Sequence, residues 1–143
     1  MTVEPRGLRN NNPGNLNFAH QAGAVLENGV AHPRFAYFKT MDDGVEALCQ
    51  QLRLYFQRNI NTVAAIICKW APPTENFTSA YSAYVAQQMA VDPNTVLQGT
   101  PAQAARLALA IIHLENGRQP FTYAHILAAA EKVWGHTALS HAS

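Results

Sequence analysis

The chain has 143 residues, of which 48% are hydrophobic, so we predict one domain over residues 1–143 with one hydrophobic core. Only 13% of the residues are charged, the net charge is +1, and no run of Lys or Arg occurs, which argues against nucleic-acid binding and against electrostatic capture on an anionic membrane. No signal peptide is visible and the longest apolar runs are too short for a bilayer, so we expect no membrane insertion.

The first third of the chain predicts a loop followed by a small β-hairpin. Residues 6–17 combine three consecutive Asn with Pro and Gly, which is typical of a loop. Asn28-Gly29 then predicts a type I′ turn between two short apolar runs, and residues 35–38 predict a further strand.

From residue 40 onward the apolar residues recur at helical spacing. Four helix-start signals follow in chain order. They are Thr40 with Asp43 three residues later, Asn61 or Thr62, Thr100-Pro101, and Thr122 for the last helix. The predicted helices span about 42–58, 62–70, 78–89, 101–115 and 123–134. We expect a frayed tail after Trp134 and a mainly α (α+β) fold with a hairpin lobe near the N-terminus.

Glu115 is the strongest candidate for chemistry. It follows the most apolar stretch of the chain and precedes Asn116-Gly117, which predicts a buried helix ending at this carboxylate. The helix dipole and partial burial both disfavour the charged form, so we expect a raised pKa and a carboxylic acid able to protonate a glycosidic oxygen. From spacing alone, a surface glutamate at a helix end is the commoner alternative.

Two segments resemble parts of known cell-wall glycosidases. Residues 108–120, ALAIIHLENGRQP, resemble the helix of the catalytic glutamate in lytic transglycosylases and goose-type lysozymes, with Asn116 in place of the usual Ser. Residues 15–17 and 35–48 resemble the segment that follows the catalytic helix in flagellar-type glucosaminidases. The two segments occur here in reversed order, which a circularly permuted lysozyme-like domain would reconcile.

A third resemblance covers nearly the whole chain. RGLRNNNPGNL at residues 6–16 and KWAPPTENFTSAYSAYV at 69–85 resemble small phage virion proteins and related secreted bacterial proteins. This resemblance implies degradation of peptidoglycan in the bacterial periplasm or cell wall. The protein would be delivered there by a phage particle, a lysis system or a secretion machine, with a phage particle or an immunity protein as a further partner.

The first hypothesis for function is therefore a muramidase or lytic transglycosylase in which Glu115 lines a groove between the helices and the hairpin lobe. The second is a non-catalytic virion or wall-binding module of the same fold, and the third is a peptide-cleaving wall enzyme. The six His residues form no HExxH motif, so we predict no metal and no cofactor. Cys49 and Cys68 lie in apolar helical patterns and are predicted to be buried free thiols, with a disulfide left open.

The second catalytic acid has several candidates. The resemblance to lysozyme-like folds, which often carry a second acid in the hairpin turn, favours Glu27, with a solvated turn residue as the alternative. Asp42 and Asp43 are expected to serve a helix N-terminus, and Glu75 is expected to make local hydrogen bonds. A single glutamate suffices where the sugar's own N-acetyl group assists.

Substrate contacts are predicted from side-chain chemistry. Amides both donate and accept, so Asn15 and Asn17 are candidates for binding sugar hydroxyls, whereas residues 10–12 are expected to satisfy loop backbone groups. Tyr37, Tyr81 and Tyr84 are candidates for stacking on sugar faces, with core packing as the alternative for each ring. Arg6 and Arg9 are candidates for binding a lactyl or peptide carboxylate, with surface solvation as their alternative.

Overall fold

The computed structural model describes residues 4–70 and 78–142, and within these ranges the chain forms six helices and one two-stranded sheet. The mainly helical α+β class predicted from the sequence is confirmed. In chain order the elements are α1 Arg6–Arg9, β1 Ala24–Leu26, β2 Ala36–Phe38, α2 Met41–Gln57, α3 Val63–Trp70, α4 Thr78–Met89, α5 Pro101–Asn116 and α6 Tyr123–Ala142.

Four of the helices begin at the predicted threonine caps. Each hydroxyl accepts a hydrogen bond from the backbone N–H three residues later, which satisfies a donor that has no partner inside the helix. These caps are Thr40 for α2, Thr62 for α3, Thr100 for α5 and Thr122 for α6. Gly117 ends α5 in the left-handed conformation, with φ of 72°, as the sequence predicted.

Helix α5 lies at the centre of the fold. It packs against α1, α2, α4 and α6, and its small and branched apolar residues are buried on most sides. Leu114, one of the apolar residues expected in this helix, is instead 38% exposed. A helix buried on most of its circumference is held from several directions, so the position of its last turn is well defined. No helix in the described parts of the chain has both the length and the apolar character needed to cross a bilayer.

The N-terminal region differs from its prediction in two ways. Residues 6–9 form the short helix α1 within the predicted loop. The hairpin pairs β1 directly with β2, with Ala24 opposite Phe38, and its connection spans residues 27–35. Of the two turn residues only Gly29 has a positive φ, so the predicted type I′ turn is wrong, because that turn needs both central residues in the left-handed region.

Two further predictions are wrong. The last helix does not end near Trp134, since α6 continues to Ala142; Gly135 is tolerated inside the helix and no proline follows it, and fraying of this tail stays a prediction. Cys68 is exposed, although Cys49 is fully buried, because Cys68 lies on the face of α3 opposite Ile66 and Ile67. Both cysteines are free thiols.

Candidate active site

Glu115 is the penultimate residue of α5 and its side chain is half-buried. The Tyr81 hydroxyl from α4 donates a hydrogen bond to its Oε2 at 3.4 Å. Burial, followed by the adjacent Glu115 carboxylate, raises the pKa of Tyr81, so this hydroxyl stays protonated and remains a donor. The Glu115 backbone carbonyl accepts from Asn15 Nδ2 at 3.4 Å. The carboxyl group is therefore positioned where α4, α5 and the N-terminal loop meet.

The residue after Glu115 anchors the end of α5 to the N-terminal loop. Asn116 is buried, and its Nδ2 donates to the carbonyl of Pro13 at 2.7 Å and to that of Ile112 at 2.9 Å. The first contact joins residues more than 100 positions apart. The Asn that replaces the usual Ser of the resembling families thus has a clear structural role here.

Gly7 allows α1 to approach this anchor closely. A Cβ at Gly7 would lie 2.6 Å from Asn116 Oδ1 and 2.8 Å from Asn15 Oδ1, both closer than real Cβ contacts. These two amide oxygens are buried, and neither accepts a hydrogen bond from the residues that the structure describes. Only glycine fits at this position, which explains the Arg-Gly pair that opens the N-terminal motif.

The Asn triplet of the motif serves the fold, largely as expected. Asn11 Nδ2 donates to the carbonyl of Phe38 at 2.9 Å. Asn12 is fully buried, and its amide donates to the carbonyls of Leu16 and Ala36 and accepts from the Leu16 N–H. The prediction that these side chains satisfy backbone groups is confirmed for Asn11 and Asn12. Asn10 differs, because its side chain donates to a carboxylate.

That carboxylate belongs to Glu27, which is 3% exposed and therefore not a solvated turn residue. Arg6 binds it with two nitrogens, with Nε 2.9 Å from Oε1. Asn10 Nδ2 and the backbone N–H groups of Arg34 and Phe35 donate to it at 2.8–3.0 Å. The Arg6 hydrogen bonds, aided by the other donors, hold the pKa of Glu27 well below its usual range despite burial.

This arrangement keeps Glu27 ionised and occupies its oxygens with protein donors. It joins α1 to the hairpin and fixes the 27–35 connection. The Arg6 guanidinium is bound to Glu27, and its cation–π contact with the Phe35 ring further fixes its position. The role of Glu27 as a second catalytic acid stays a prediction, and its contacts favour a structural role.

The two predicted sugar-binding amides, Asn15 and Asn17, line one pocket of about 170 Å³. The pocket lies between the loop before β1 and helices α2 and α3. Lys69 and Trp70, from the end of α3, also line it, and Trp70 Nε1 donates to the Gly14 carbonyl at 2.9 Å. Glu115 is not among the described residues that line this pocket, so the prediction that it lines a groove there stays a prediction. Asn15 lines the pocket and donates to the Glu115 backbone carbonyl, not to its carboxylate.

Sequence reasoning did not identify Lys69 and Trp70 as pocket residues. Both belong to the KWAPPTENF segment whose resemblance was noted, so a signal was present in the motif. The spacing of α3 gave no indication of which neighbours they would meet. Trp70 is bound to the loop at Gly14, which is more than 50 positions away.

The remaining candidates are dispersed. Tyr37 lies on the outer face of β2 and is 39% exposed, while Ala36 and Phe38 point into the protein. Arg9 is exposed in the last turn of α1. Tyr81 contacts Glu115 with its hydroxyl, and Tyr84 donates to or accepts from His113 Nδ1 at 2.6 Å. Sugar stacking by these rings and carboxylate binding by Arg9 stay predictions.

The other acidic candidates have local partners. Asp42 lies 3.0 Å from His125 Nε2, so it joins α2 to α6. The backbone N–H of Asp43 donates the hydrogen bond that the Thr40 hydroxyl accepts at the start of α2. Glu75 lies outside the described residues. Across the parts of the chain that the structure describes, no group of three or more His, Cys, Asp or Glu side chains is placed to hold a metal ion.

Comparison with known proteins finds similarity to a phage protein. The chain is 36% identical to Protein P5 of Pseudoalteromonas phage PM2 over 134 residues. This similarity covers 91% of the chain and 81% of the phage protein. No family model matches the chain.

Proposed function

The chain belongs to the family of Protein P5 of Pseudoalteromonas phage PM2, and on that premise we propose that it cleaves the glycan strands of peptidoglycan, with Glu115 as its general acid. The observation that carries the proposal is the position of Glu115. Its half-buried carboxyl group ends a buried central helix, contacts Tyr81, and adjoins, through Asn15, a pocket lined with amides. The phage origin of the relative supports delivery to the periplasm or cell wall by a virion or lysis system.

In the proposed reaction, Glu115 donates its proton to the glycosidic oxygen as the bond to the sugar's anomeric carbon breaks. The sugar's own N-acetyl group assists at the anomeric carbon, so a second carboxylate is not required. In the second step the Glu115 carboxylate takes up a proton from the attacking group as that group bonds to the anomeric carbon and the N-acetyl oxygen leaves it. Attack by water gives a reducing end, and attack by the C6 hydroxyl of the same sugar gives a 1,6-anhydro end. Tyr81 orients the Glu115 carboxyl group, and Asn15 and Asn17 bind sugar hydroxyl or acetamide groups.

A non-catalytic wall-binding module is the second candidate. It is favoured by the many motif residues that serve the fold, since Arg6, Gly7, Asn11 and Asn12 all have structural contacts. Such a module would bind peptidoglycan without releasing fragments.

Mass spectrometry of digested sacculi separates these functions. We expect the purified protein to release fragments that carry new reducing ends or new 1,6-anhydro ends, which identify a hydrolase or a transglycosylase respectively. Sedimentation with sacculi and no fragments would support the binding module. A reducing end shows hydrolysis, and whether it lies on muramic acid or on glucosamine tells a muramidase from a glucosaminidase. New free amino groups without new sugar ends would mean peptide cleavage and would contradict the proposal.

A further inference from the structure

The pocket beside Asn15 continues into a larger one. The second pocket has a volume of about 460 Å³ and lies between the loop before β1, α2 and the end of α6. Both pockets are lined by Leu16, Gln21 and Gln51, so together they form one groove that leads away from Glu115. The larger volume is in the range of sites that hold a ligand of several linked groups.

Opposite charges line the two ends of this groove. Lys69 is the cationic residue among the described residues that line the pocket beside Asn15, and none of those described residues is a carboxylate. Within the parts of the chain that the structure describes, Lys69 makes no ion pair. Asp43 and Glu46 line the second pocket, and none of its described lining residues is cationic. Glu46 is already paired with Lys132 at 3.2 Å, so Asp43 is the carboxylate more available to a ligand.

The floor between these charges is partly apolar. Leu54, which is 39% exposed, and Val133 line the second pocket together with alanine side chains. An exposed leucine in a groove offers contact for methyl or methylene groups. A ligand that matches the whole groove therefore has a carboxylate near Asn15, short aliphatic groups beyond it, and an amino group at the far end.

We propose that this groove binds the short peptide stem attached to the muramic acid next to the cleaved bond, with Lys69 pairing with a stem carboxylate and Asp43 with the stem amino group. The inference rests on the proposed glycan cleavage and adds a preference for peptide-substituted strands over bare glycan. Lys69 takes the part that the sequence suggested for Arg6 and Arg9, because Arg6 is bound to Glu27.

The test compares two substrates. One is glycan from sacculi that carry diaminopimelate-containing stems, and the other is the same glycan after an amidase has removed the stems. We expect kcat/KM of the unmodified protein to be about tenfold higher on the peptide-bearing strands, a size typical of one or two charge-assisted contacts. The preference should shrink in high salt, because exposed ion pairs are screened.

In Lys69→Gln we expect this preference ratio to fall to about twofold. Lys39→Gln is the matched control, since Lys39 is exposed beyond β2 and does not line the groove; it should keep the ratio of the unmodified protein. Equal rates on both substrates, or an unchanged ratio in Lys69→Gln, would overturn the inference and leave glycan cleavage standing. Failure to cleave either substrate would instead count against the proposed function itself.

Discussion

Glu27 and Glu115 occupy two different kinds of place in the molecule. Glu27 is almost fully buried and binds an arginine, an asparagine and two backbone N–H groups. Glu115 is half-buried at the end of α5, with a tyrosine hydroxyl 3.4 Å from its carboxylate and a pocket nearby. The first arrangement stabilises a charge inside the fold, whereas the second places a partly buried carboxyl group at the end of the central helix. On the proposed function, the contrast separates a residue that supports the fold from the proposed general acid.

The largest effect on stability is expected from Glu27→Gln. The amide keeps one acceptor oxygen but turns an NH2 group toward donors such as Arg6 and the Phe35 N–H. Breaking one side of a buried ion pair typically costs about 3 kcal/mol. We expect that loss in the free energy of unfolding, measured by urea titration with circular dichroism, whereas Glu115→Gln should change it by less than about 1 kcal/mol. Equal losses in the two variants would remove the contrast.

The pH dependence of stability gives a second measure of Glu27. Its pKa in the folded protein lies well below the ordinary value of 4.5, so the unfolded chain takes up the proton first as the pH falls. The stabilisation is therefore complete above pH 4.5 and is lost progressively below it. Between pH 4.5 and pH 3 the loss is about 2 kcal/mol for this one group. Unfolding titrations at pH 7 and pH 3 should show that extra loss in the unmodified protein relative to Glu27→Gln; parallel losses would contradict it.

Gly7→Ala tests the junction between the two regions. The new methyl group would overlap Asn116 Oδ1, Asn15 Oδ1 and the Asn12 carbonyl, so α1 would have to move. We expect a loss of about 2 kcal/mol in unfolding free energy and reduced activity, because the same residues hold the end of α5. Gly135→Ala is the matched control, since nothing lies within 4 Å of a Cβ there, and alanine should stabilise α6 by about 0.5–1 kcal/mol.

Tyr81→Phe should have the smallest effect. Loss of the hydroxyl removes one hydrogen bond to Glu115, which predicts a destabilisation of about 1 kcal/mol and a fall in kcat of about three- to tenfold. Tyr84→Phe removes a hydroxyl that contacts His113 and should cost a similar amount of stability without lowering kcat. A kcat equally low in both variants would show that the Tyr81 effect is merely structural.

The parts of the fold that local chemistry determines were predictable from the sequence. The caps Thr40, Thr62 and Thr100 and the stop at Gly117 act on backbone groups within a few positions, so helices α2 to α5 followed from spacing. The sequence also indicated Glu115 as a candidate site residue, because its carboxylate comes at the end of a helix whose apolar residues predict burial.

The parts that depend on distant residues were not predictable. The hairpin connection is organised by Glu27 binding Arg6, which lies 21 positions away. The Asn116 anchor and the pocket residue Trp70 are bound to the carbonyls of Pro13 and Gly14. No periodicity of a local segment indicates such contacts, so the motif RGLRNNNPGN stood out in the sequence while the structural purpose of each residue did not.

The most direct test of the central claim compares Glu115→Gln with Glu131→Gln, which makes the same change at an exposed position of α6. Both proteins should keep the unfolding free energy of the unmodified chain within about 1 kcal/mol. Release of new sugar ends from sacculi, counted by mass spectrometry, should fall by at least about 100-fold in Glu115→Gln, as expected for loss of a general acid, and stay unchanged in Glu131→Gln. A folded Glu115→Gln protein with undiminished release of sugar ends would contradict the assignment of Glu115.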